Sequence, residues 1–563
     1  MKWLQRNAKT NPNSNDSVTE KISKIRGIKD TELFLNPTEE VLNDPYLMKN
    51  IQDASNKIIQ AIGENKKIVV SYDPDADGLA SATIMIRYLK NYTDNVDFIY
   101  GERNDGHGIE EMITVKKLHA VKQADRIEHN KRNTDLIKEA DLLIIVDSSS
   151  NDVQACKHIR EVLKTDIVIL DHHEIEVENP YALMVNPQQE GCKYPNKFLS
   201  GAGVVFKTLQ VMEDTLDSVD VWQYIDLVAV GMYADMMRVD ILENRYLIMH
   251  GLRNMKNTGL IRILKGAKAD FFRLNGDSIG FGIAPLLNGV ARMGNIKLAI
   301  DILLEDDDKI CKKLRLKMQK LNEERKEKQK EIVERYKSLV DDSKKVIVVM
   351  DDNSSRGFNG LVSQQLTDLY NRPAIVGRLH KGKLSGSFRS YGGFDFKQFL
   401  NDSALIEEAM GHSQAGGIDV LEENIEPLMA YIENNLPKLE EEEPFILYDL
   451  DLDVSEAVEQ IRDIEKFNLV TGNGFPKVLA KVNNITVNEV ACIGQTQETV
   501  KISTLDDLEL IKFKVNDQYA SELDCFDTIN VVGELAVNEF FNHGIKQRVI
   551  TPQVRLQDYA IAE

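Results

Sequence analysis

Carboxylate and imidazole side chains follow three short apolar runs of the 563-residue chain. Each run is rich in Val, Ile and Leu and has the length of a β-strand. The groups that follow them are, in chain order, Asp73, Asp75 and Asp77, then Asp147, then Asp171, His172 and His173. So many carboxylates in one place would repel one another and take up protons unless a counter-ion were present. If the three runs lie side by side, the pattern predicts a site for divalent metal ions.

Asp235 is a further candidate, because it lies in the otherwise apolar segment DLVAVGMYADMM. Burying a charge in such surroundings is costly unless it is paired or holds a ligand. The candidate ligands are thus mainly carboxylate oxygens with one imidazole and no thiolate, which favours Mn²⁺ or Mg²⁺ over zinc. The carboxylates are numerous enough for two ions that share one of them. Such a site suits hydrolysis of a phosphoester, since one ion activates water and both polarise the phosphate.

Each of these pieces alone has a simpler explanation. An acidic loop such as DPDADG is often only a turn, and an HH pair is often solvated. An Asp after a strand is commonly a helix N-cap. Metal binding is favoured by the conjunction of all three pieces at strand ends, together with Asp235.

The elements that must position these groups indicate an α/β fold. The apolar runs alternate with helical patterns, and the first helical pattern covers Pro45–Gly63. This alternation is typical of a parallel sheet. Ligands of such a sheet bind beyond the carboxyl ends of its strands. The stretch Lys309–Val340 contains no Gly or Pro and has a polar middle, as in a helix that bridges two domains. A second, smaller α/β unit follows. The remaining short strands with turn signals predict an antiparallel β-barrel of the OB-fold type.

The domain prediction follows from these patterns. It comprises a polar lead-in over residues 1–45, a catalytic domain over 46–305, a connecting helix over 306–341, a second α/β domain over 342–437 and an OB-like barrel over 445–563. The acidic run Pro437–Pro444 separates the last two.

Composition limits the class of protein. With 69 Lys and Arg against 90 Asp and Glu, the net charge of −21 excludes a histone-like coat for nucleic acid but allows an enzyme with a local basic track. Five cysteines without a CxxC motif disfavour a disulfide framework or a Cys-based zinc site and fit a reducing cytoplasm. The apolar runs are too short to cross a bilayer, and the first residues lack the apolar stretch of a signal peptide. We therefore expect a cytoplasmic protein without a membrane partner.

Four segments, SYDPDADGLASA, VDSSS, LDHHE and GMYADMM, resemble in order and spacing the four motifs of the DHH phosphoesterases. The segments LSGAGVVFKTLQ, NGVARMGN, SGSFRS and GHSQAGG are similar to those of the RecJ-like single-strand-specific exonucleases within that family. The resemblance covers the chain from about Leu42 to about Ile418, and the C-terminal barrel lies where those enzymes carry an OB-fold. It implies a metal-dependent exonuclease that degrades single-stranded DNA from the 5′ end to 5′-mononucleotides, in DNA repair or recombination.

The resemblance also implies roles for individual residues. Asp75 and Asp77 would be metal ligands, Asp147 would bridge two ions, His172 and Asp235 would complete the second ion, and His173 would contact the scissile phosphate. An arginine near the DNA 5′ end corresponds to Arg103. The residues expected to hold phosphates are Arg292, Ser387, Arg389 and, in the glycine-rich signature of the second domain, His412.

Three positions depart from the family pattern. Ser71 stands where related pyrophosphatases carry a liganding His, His107 replaces the usual Tyr, and RGFNG lacks a His that many relatives have. The expected partner is single-stranded DNA held in a narrow cleft, with a single-strand-binding protein or a helicase as possible protein partners. Two alternatives stay open. A phosphodiesterase of short oligoribonucleotides or cyclic dinucleotides would usually lack the barrel, and an inactive replication scaffold would usually have lost metal ligands.

Overall fold

The computed structural model describes residues 1–7, 9, 13, 15–102, 107–113, 123–216, 219–380, 382–439, 445–494, 497–542 and 546–562. The chain forms two compact units. One contains Met1–Leu42, Arg238–Tyr246 and Glu442–Glu563, and the other contains Asn43–Met237 and Leu247–Glu441. One boundary between them falls in the acidic run Pro437–Pro444. Within the described part of the chain, no helix is long and apolar enough to span a membrane.

The strands are β1 (Lys2–Gln5), β2 (Ile68–Tyr72), β3 (Val96–Tyr100), β4 (Leu142–Val146), β5 (Asp166–Leu170), β6 (Leu183–Val185), β7 (Ile347–Met350), β8 (Ala374–His380), β9 (Lys383–Arg389), β10 (Glu408–His412), β11 (Ala415–Leu421), β12 (Phe445–Tyr448), β13 (Leu450–Asp453), β14 (Ala480–Ile493), β15 (Thr499–Thr504), β16 (Glu509–Phe513), β17 (Thr528–Asn542) and β18 (Gln547–Ile561).

The α-helices are α1 (Val18–Arg26), α2 (Thr31–Leu35), α3 (Ile51–Gly63), α4 (Ala76–Leu89), α5 (Ile109–Ile113), α6 (Gln123–Glu139), α7 (Val153–His158), α8 (Gly201–Leu216), α9 (Ile225–Ala234), α10 (Leu242–Arg253), α11 (Thr258–Gly266), α12 (Ala284–Arg292), α13 (Ile296–Leu304), α14 (Asp308–Lys337), α15 (Arg356–Tyr370), α16 (Phe396–Asp402), α17 (Glu422–Asn435) and α18 (Val454–Phe467). Short 3₁₀ turns cover Glu39–Val41, Pro45–Leu47 and Val221–Tyr224, and two π-helical segments cover Ile159–Leu163 and Ser278–Ile283.

A parallel sheet with the strand order β3-β2-β4-β5-β6 forms the first domain of the larger unit, as predicted. Strands β2, β4 and β5 are neighbours, so the ends of all three predicted motif strands meet at one edge of the sheet. Every residue of β2 and β4 is buried, because helices cover both faces of the sheet. Continuous apolar strands are therefore stable here, where an alternating pattern would expose one face.

The first helix of this domain is shorter than predicted. The sequence pattern indicated a helix over Pro45–Gly63, whereas Pro45–Leu47 is a 3₁₀ turn and α3 begins only at Ile51. The interruption occurs at Asn50, whose φ of +65° lies in the left-handed region that Asn tolerates better than most residues. The apolar face from Ile51 to Ala61 is buried as the periodicity requires.

A 30-residue helix, α14, leads to the second sheet of the larger unit. The sheet has the order β10-β11-β9-β8-β7, with β7 and β8 parallel and the other pairs antiparallel. One face packs with α16 and α17 around Phe388 and Phe396, and the other packs with α14 and α15 around Val362 and Tyr336. The long connecting helix and the second α/β domain are thus present.

The smaller unit is built on a six-stranded OB-like sheet with the order β13-β14-β15-β16-β18-β17. β13 pairs with β14 in parallel, and β14 also pairs with β17. The barrel was expected to be antiparallel, but β16 and β18 are parallel. In the chain β17 comes between these two strands, whereas in the sheet β18 lies between β16 and β17. The N-terminal residues belong to this unit. β1 pairs with β12, and Ile22, Ile25 and Phe34 are buried, so the lead-in is folded.

Candidate metal centre and phosphate-binding residues

Three carboxylates converge on one imidazole nitrogen at the carboxyl edge of the parallel sheet. His172 Nε2 lies 3.2 Å from Asp147 Oδ1, 3.4 Å from Asp235 Oδ2 and 3.9 Å from Asp77 Oδ2. Two ligand atoms that are each about 2.1 Å from one ion and about 90° apart would be separated by about 3.0 Å. The observed spacing therefore matches a shared divalent ion.

Two atoms of this cluster lack the partners that burial normally demands. Among the residues that the structure describes, neither Asp147 Oδ1 nor His172 Nε2 takes part in a hydrogen bond, although both are buried. Buried polar atoms without partners are rare and call for a ligand. The oxygen-rich donor set with one imidazole fits Mn²⁺ or Mg²⁺.

The electrostatics of the cluster agree with this assignment. Burial, with repulsion from neighbouring aspartates, raises the pKa of Asp77 to about 6 and that of Asp235 to about 8, and holds the pKa of Asp147 well above its ordinary value. Burial lowers the pKa of His172 to about 4, so its imidazole is neutral and can ligate. Protonated carboxylates at neutral pH would be poor ligands, so cation binding and proton release are coupled at this site.

Asp77 is held by the first turn of α8. Its carboxylate accepts hydrogen bonds from Ser200 Oγ (2.9 Å) and from the backbone N–H groups of Gly201 (2.7 Å) and Ala202 (3.0 Å). A helix N-terminus stabilises a negative charge in this position. A Cβ on Gly201 would lie 2.6 Å from Asp147 Oδ1, and a Cβ on Gly231 would lie 2.2 Å from Asp77 Oδ1. These two glycines are therefore required for the close approach of α8 and α9 to the ligands.

Asp147 itself adopts an uncommon backbone conformation. Its φ is +61°, in the left-handed region, directly after the last residue of β4. Such a conformation costs of order 1 kcal/mol and persists where the surroundings impose it, often at functional sites. It turns the carboxylate toward His172 rather than along the strand direction.

Asp171 positions the two histidines instead of joining the cluster around His172 Nε2. Its Oδ1 accepts hydrogen bonds from His172 N (2.7 Å) and His173 Nδ1 (2.8 Å), and its Oδ2 accepts from Ser150 Oγ (2.7 Å). The negative charge of Asp171 raises the pKa of His173 to about 10, while the same contacts hold the pKa of Asp171 well below its usual range. The half-exposed His173 ring is therefore a cation in the metal-free protein. The sequence pattern placed Asp171 in the predicted metal site but did not predict that it orients the two histidines.

Asp75 lies beside the cluster with a different local contact. Its Oδ1 accepts hydrogen bonds from Asp77 N and Gly78 N, both at 3.1 Å, and so caps α4. In the described structure, two sets of side chains bring ligand atoms close enough to share an ion. One set is Asp77, His172 and Asp235, and the other is Asp147, Asp171, His172 and His173. Asp75 belongs to neither set. Its charge contributes to the raised pKa values of Asp77 and Asp147.

Two of the departures from the family pattern have a structural place. Ser71 is buried within β2 and donates its hydroxyl to Met112 Sδ at 3.2 Å. His107 Nδ1 lies 2.9 Å from Asp73 Oδ2, which makes Asp73 the partner of an imidazole. Arg103 lies outside the described residues.

The predicted phosphate-binding arginines meet at the start of α15. Arg292 donates to the carbonyl of Gly357 at 2.7 Å, and the guanidinium of Arg389 lies 2.8 Å from the place where a Cβ on Gly360 would stand. The segment RGFNG forms this first turn. Two guanidinium groups beside the N-terminal turn of a 15-residue helix create a site with positive potential. Burial lowers the pKa of Arg389 without removing its charge at neutral pH.

Ser387 and His412 lie on the same part of this sheet. Ser387 precedes Arg389 by two residues in β9, so both point to the face covered by α15. Arg389 is paired with Ala415 in β11, and Ala415 is paired with the exposed His412 in β10. The register thus places His412, Ala415 and Arg389 in one row across three strands.

Asn288 is a functional candidate that the sequence analysis missed. Its Oδ1 accepts a hydrogen bond from Ala76 N at 2.9 Å, between Asp75 and Asp77. The residue lies in α12, within the segment NGVARMGN. It fixes the acidic loop to a helix far along the chain. Only its membership of that segment pointed to it.

Comparison with known proteins agrees with the motifs. Residues 67–232 match the DHH family, N-terminal domain, and residues 448–551 match the RecJ OB domain. The chain is 28% identical to the single-stranded-DNA-specific exonuclease RecJ of Bacillus subtilis over 94% of its own length and 66% of that protein. It is 27% identical to the SPbeta prophage-derived putative single-strand DNA-specific exonuclease YorK of Bacillus subtilis over 96% of its own length and 95% of that protein.

The fold is that of a solved RecJ structure. The crystal structure of RecJ from Thermus thermophilus with Mn²⁺ superposes with a TM-score of 0.75 at 21% identity, covering 97% of this chain and 76% of that one. The chain spans 66% of the length of the first of its curated relatives and 95% of the second. The chain therefore contains a DHH N-terminal domain and a RecJ OB domain, and it is similar to the RecJ exonucleases over most of its length.

Proposed function

We propose that this protein is a metal-dependent exonuclease that hydrolyses single-stranded DNA in the 5′→3′ direction and releases 5′-mononucleotides. The observation that carries this proposal is the convergence of Asp77, Asp147 and Asp235 on the unpartnered Nε2 of His172. The similarity to the named exonucleases supports the choice of single-stranded DNA as substrate.

The proposed ligands are Asp75, Asp77, Asp147, His172 and Asp235. When bound, two Mn²⁺ or Mg²⁺ ions would supply an activated water and positive charge for the phosphate. Asp147 is the proposed bridging ligand, since its Oδ1 faces His172 and its carboxylate is buried between the strand ends. Asp75, with Oδ1 already capping α4, would contribute its second carboxylate oxygen.

His173 is proposed to donate a hydrogen bond to a non-bridging oxygen of the scissile phosphate. Asp171 takes up its Nδ1–H, so Nε2–H is the group directed at substrate. A cationic imidazole in this position stabilises the charge that develops on the phosphate during attack. Asp171 keeps the ring oriented and charged throughout.

Phosphates of the strand would be held at the start of α15. Arg389 and Arg292 supply guanidinium groups, Ser387 a hydroxyl and His412 an imidazole on the same part of the sheet. Arg103 is the proposed contact to the DNA 5′ end. A guanidinium can make two parallel charge-assisted bonds to one phosphate, which suits a terminal phosphate.

The proposal also covers the OB domain, the cellular compartment and the protein partners. The RecJ OB domain would bind the single strand by stacking and backbone contacts, as OB-folds do. The proposed compartment is the cytoplasm, whose reducing conditions suit five cysteines without a CxxC motif. A single-strand-binding protein or a helicase is a natural partner for such an enzyme in DNA repair or recombination.

The two alternatives fit less well. A phosphodiesterase of short oligoribonucleotides or cyclic dinucleotides has no need of an OB domain, which is present at residues 448–551. An inactive scaffold has no need of the buried ligand set, and here all the proposed ligands are retained.

The decisive experiment is product analysis on DNA and RNA strands labelled at the 5′ or 3′ end, with Mn²⁺ or Mg²⁺. We expect a labelled mononucleotide from 5′-labelled DNA in the first turnovers and a shrinking ladder from 3′-labelled DNA. Asp147→Ala should fold normally and lose the activity, since the loss of metal-assisted catalysis amounts to several kcal/mol and about 1.36 kcal/mol is already tenfold in rate. Preferential release from 3′-labelled strands, or a rate in Asp147→Ala above about a tenth of that of the wild type, would contradict the proposal.

A further inference from the structure

Two phenylalanines of the first domain, Phe272 and Phe281, present their rings to solvent. Phe281 is 80% exposed and Phe272 is 87% exposed, and Met236, next to Asp235, is 68% exposed. Single exposed aliphatic residues are common on protein surfaces and need no explanation. A large aromatic ring exposed beside a candidate catalytic site indicates a surface that binds a ligand.

Phe281 is anchored to the helix that carries Asp235. It lies in the π-helical segment Ser278–Ile283, a conformation that is rare and frequent at functional sites. A Cβ on Gly280 would lie 3.1 Å from the ring of Tyr233, and a Cβ on Gly276 would lie 2.5 Å from it. Tyr233 precedes Asp235 by two residues. The backbone on the N-terminal side of Phe281 is therefore packed directly against the end of α9.

The C-terminal side of the same segment is anchored to the acidic loop. The π-helical turn continues into α12, whose Asn288 accepts the hydrogen bond from Ala76 N, between Asp75 and Asp77. Ile279 and Ile283 are fully buried on either side of Phe281 and hold the turn in place. Both ends of the segment are thus tied to residues next to proposed metal ligands, and the Phe281 ring is presented from a fixed backbone.

The surrounding sequence suits a strand of nucleic acid. Lys265 and Lys268 precede Phe271 and Phe272 in the segment that leads to Phe281, and Arg273 follows them. Both lysines are exposed, and Asp270 and Asp277 lie in the same segment. Cationic side chains near aromatic rings are the combination that binds single strands, since the former neutralise phosphates and the latter stack on bases. Three cations and two aspartates give residues 265–281 a net charge of +1, in a chain whose net charge is −21.

We propose that Phe281, together with Phe272, is a stacking platform for bases of the strand beside the scissile bond. This inference rests on the proposed function. It gives the catalytic domain its own contact to unpaired bases, separate from the OB domain. Bases in a duplex are already paired and stacked, so the platform selects single strands. It accepts any base sequence, because every base has a π-face.

Fluorescence of a Phe281→Trp variant tests the contact without turnover. The chain has only two tryptophans, Trp3 and Trp222, so the wild-type protein supplies the background signal. The probes are an oligothymidylate of about 12 nucleotides, within the site size of single-strand-binding proteins, and an abasic sugar-phosphate strand of equal length, both added with a chelator present. We expect quenching by oligothymidylate and little by the abasic strand. Equal quenching by both strands would overturn the proposal.

Kinetics separates stacking from general apolar contact. Phe281→Ala and Phe281→Leu should raise KM for single-stranded DNA about tenfold with a smaller change in kcat, because the loss of one stacked base weakens binding about tenfold. Phe281→Trp should restore the wild-type KM. Val162→Ala is the matched control, because Val162 is also exposed (62%) and also lies in a π-helical segment of this domain. Its KM should equal that of the wild type.

The outcomes distinguish this inference from the proposed function. If the wild-type protein neither binds nor degrades single-stranded DNA, the proposed function fails. If the wild type acts on DNA and the double variant Phe272→Ala/Phe281→Ala has an unchanged KM, only the stacking platform is wrong. Thermal unfolding of the variants should match the wild type, because both rings are exposed.

Discussion

Asp171 accepts a hydrogen bond of 2.8 Å from His173 Nδ1, and the two residues are separated by a single position in the chain. The same carboxylate also accepts a hydrogen bond from His172 N and one from Ser150 Oγ, in the neighbouring motif. One buried acid therefore orients both histidines and joins the second and third motifs.

We expect Asp171→Asn to reduce kcat about a hundredfold, the usual contribution of a positioned proton donor, while KM changes little. The amide cannot support the charge on His173, whose pKa the Asp171 carboxylate now raises to about 10. Steady-state kinetics would measure kcat and KM, and Mn²⁺ titrations would measure the affinity for the metal. Ser150→Ala is the control with a smaller effect, since it removes only the Ser150 Oγ contact to Asp171. A loss of Mn²⁺ affinity as large as the loss of kcat would show that Asp171 acts through the metal ligands instead.

Gly201→Ala should weaken Mn²⁺ binding and lower the stability of the protein. The new Cβ would lie 2.6 Å from Asp147 Oδ1, a distance that only a shift of α8 or of the carboxylate could relieve. Overpacking of this kind costs about 1–3 kcal/mol. Gly63→Ala is the matched control, because nothing lies within 4 Å of its Cβ position at the end of α3. Denaturant unfolding and calorimetric Mn²⁺ titration of both variants would check this, and equal values for the two would refute the steric role of Gly201.

The stability of the metal-free protein should fall as pH rises from about 4 to about 8. Burial raises the folded-state pKa of Asp235 to about 8, against an ordinary value of 3.8. Between these two values the folded state binds a proton that the unfolded state has released, so the free energy of unfolding decreases with pH. Asp235→Asn should flatten this dependence, and Asp368→Asn, at an exposed site in α15, should leave it unchanged.

Excess Mn²⁺ should reverse the sign of this pH dependence. The cation binds the deprotonated carboxylates of the folded state, so its stabilisation grows as protons leave. Thermal unfolding at several pH values, with chelator and with Mn²⁺, measures both slopes. Parallel curves in the two conditions would argue against a metal centre at these residues.

Arg389→Ala should raise KM for single-stranded DNA more than it lowers kcat. The guanidinium lies beside the first turn of α15. If a substrate phosphate binds there, Arg389 would contribute to binding in both the ground and the transition state. Arg389→Lys should restore only part of the loss, because an ammonium cannot make two parallel bonds to one phosphate. Kinetics at two salt concentrations would test this. Arg253→Ala, at an exposed position at the end of α10, is the control, and an Arg389 variant with the same KM and salt dependence as that control would rule out a phosphate contact.

Local patterns were sufficient to predict the sheet and the identity of most groups at its edge. Buried strands such as Leu142–Val146 are continuous apolar runs, and helices between them permit only parallel pairing, so Asp147 and His172 had to meet. The 30-residue helix α14 was predictable because it lacks both Gly and Pro. The match of SYDPDADG, VDSSS, LDHHE and GMYADMM to known motifs assigned the chemistry.

Contacts between distant segments were decided only by the tertiary structure. Asn288 reaches Ala76 across 212 positions, and Arg292 reaches Gly357 across 65, and no local periodicity encodes such pairs. The parallel pairing of β16 with β18 depends on how β17 crosses, which the alternation within each strand does not specify. The sequence alone was enough to predict which side chains are candidates for the chemistry, because composition and strand ends are local properties. Which of them approach within 4 Å depended on how α8, α9 and α12 pack, because packing is set by the shapes of all the buried residues at once.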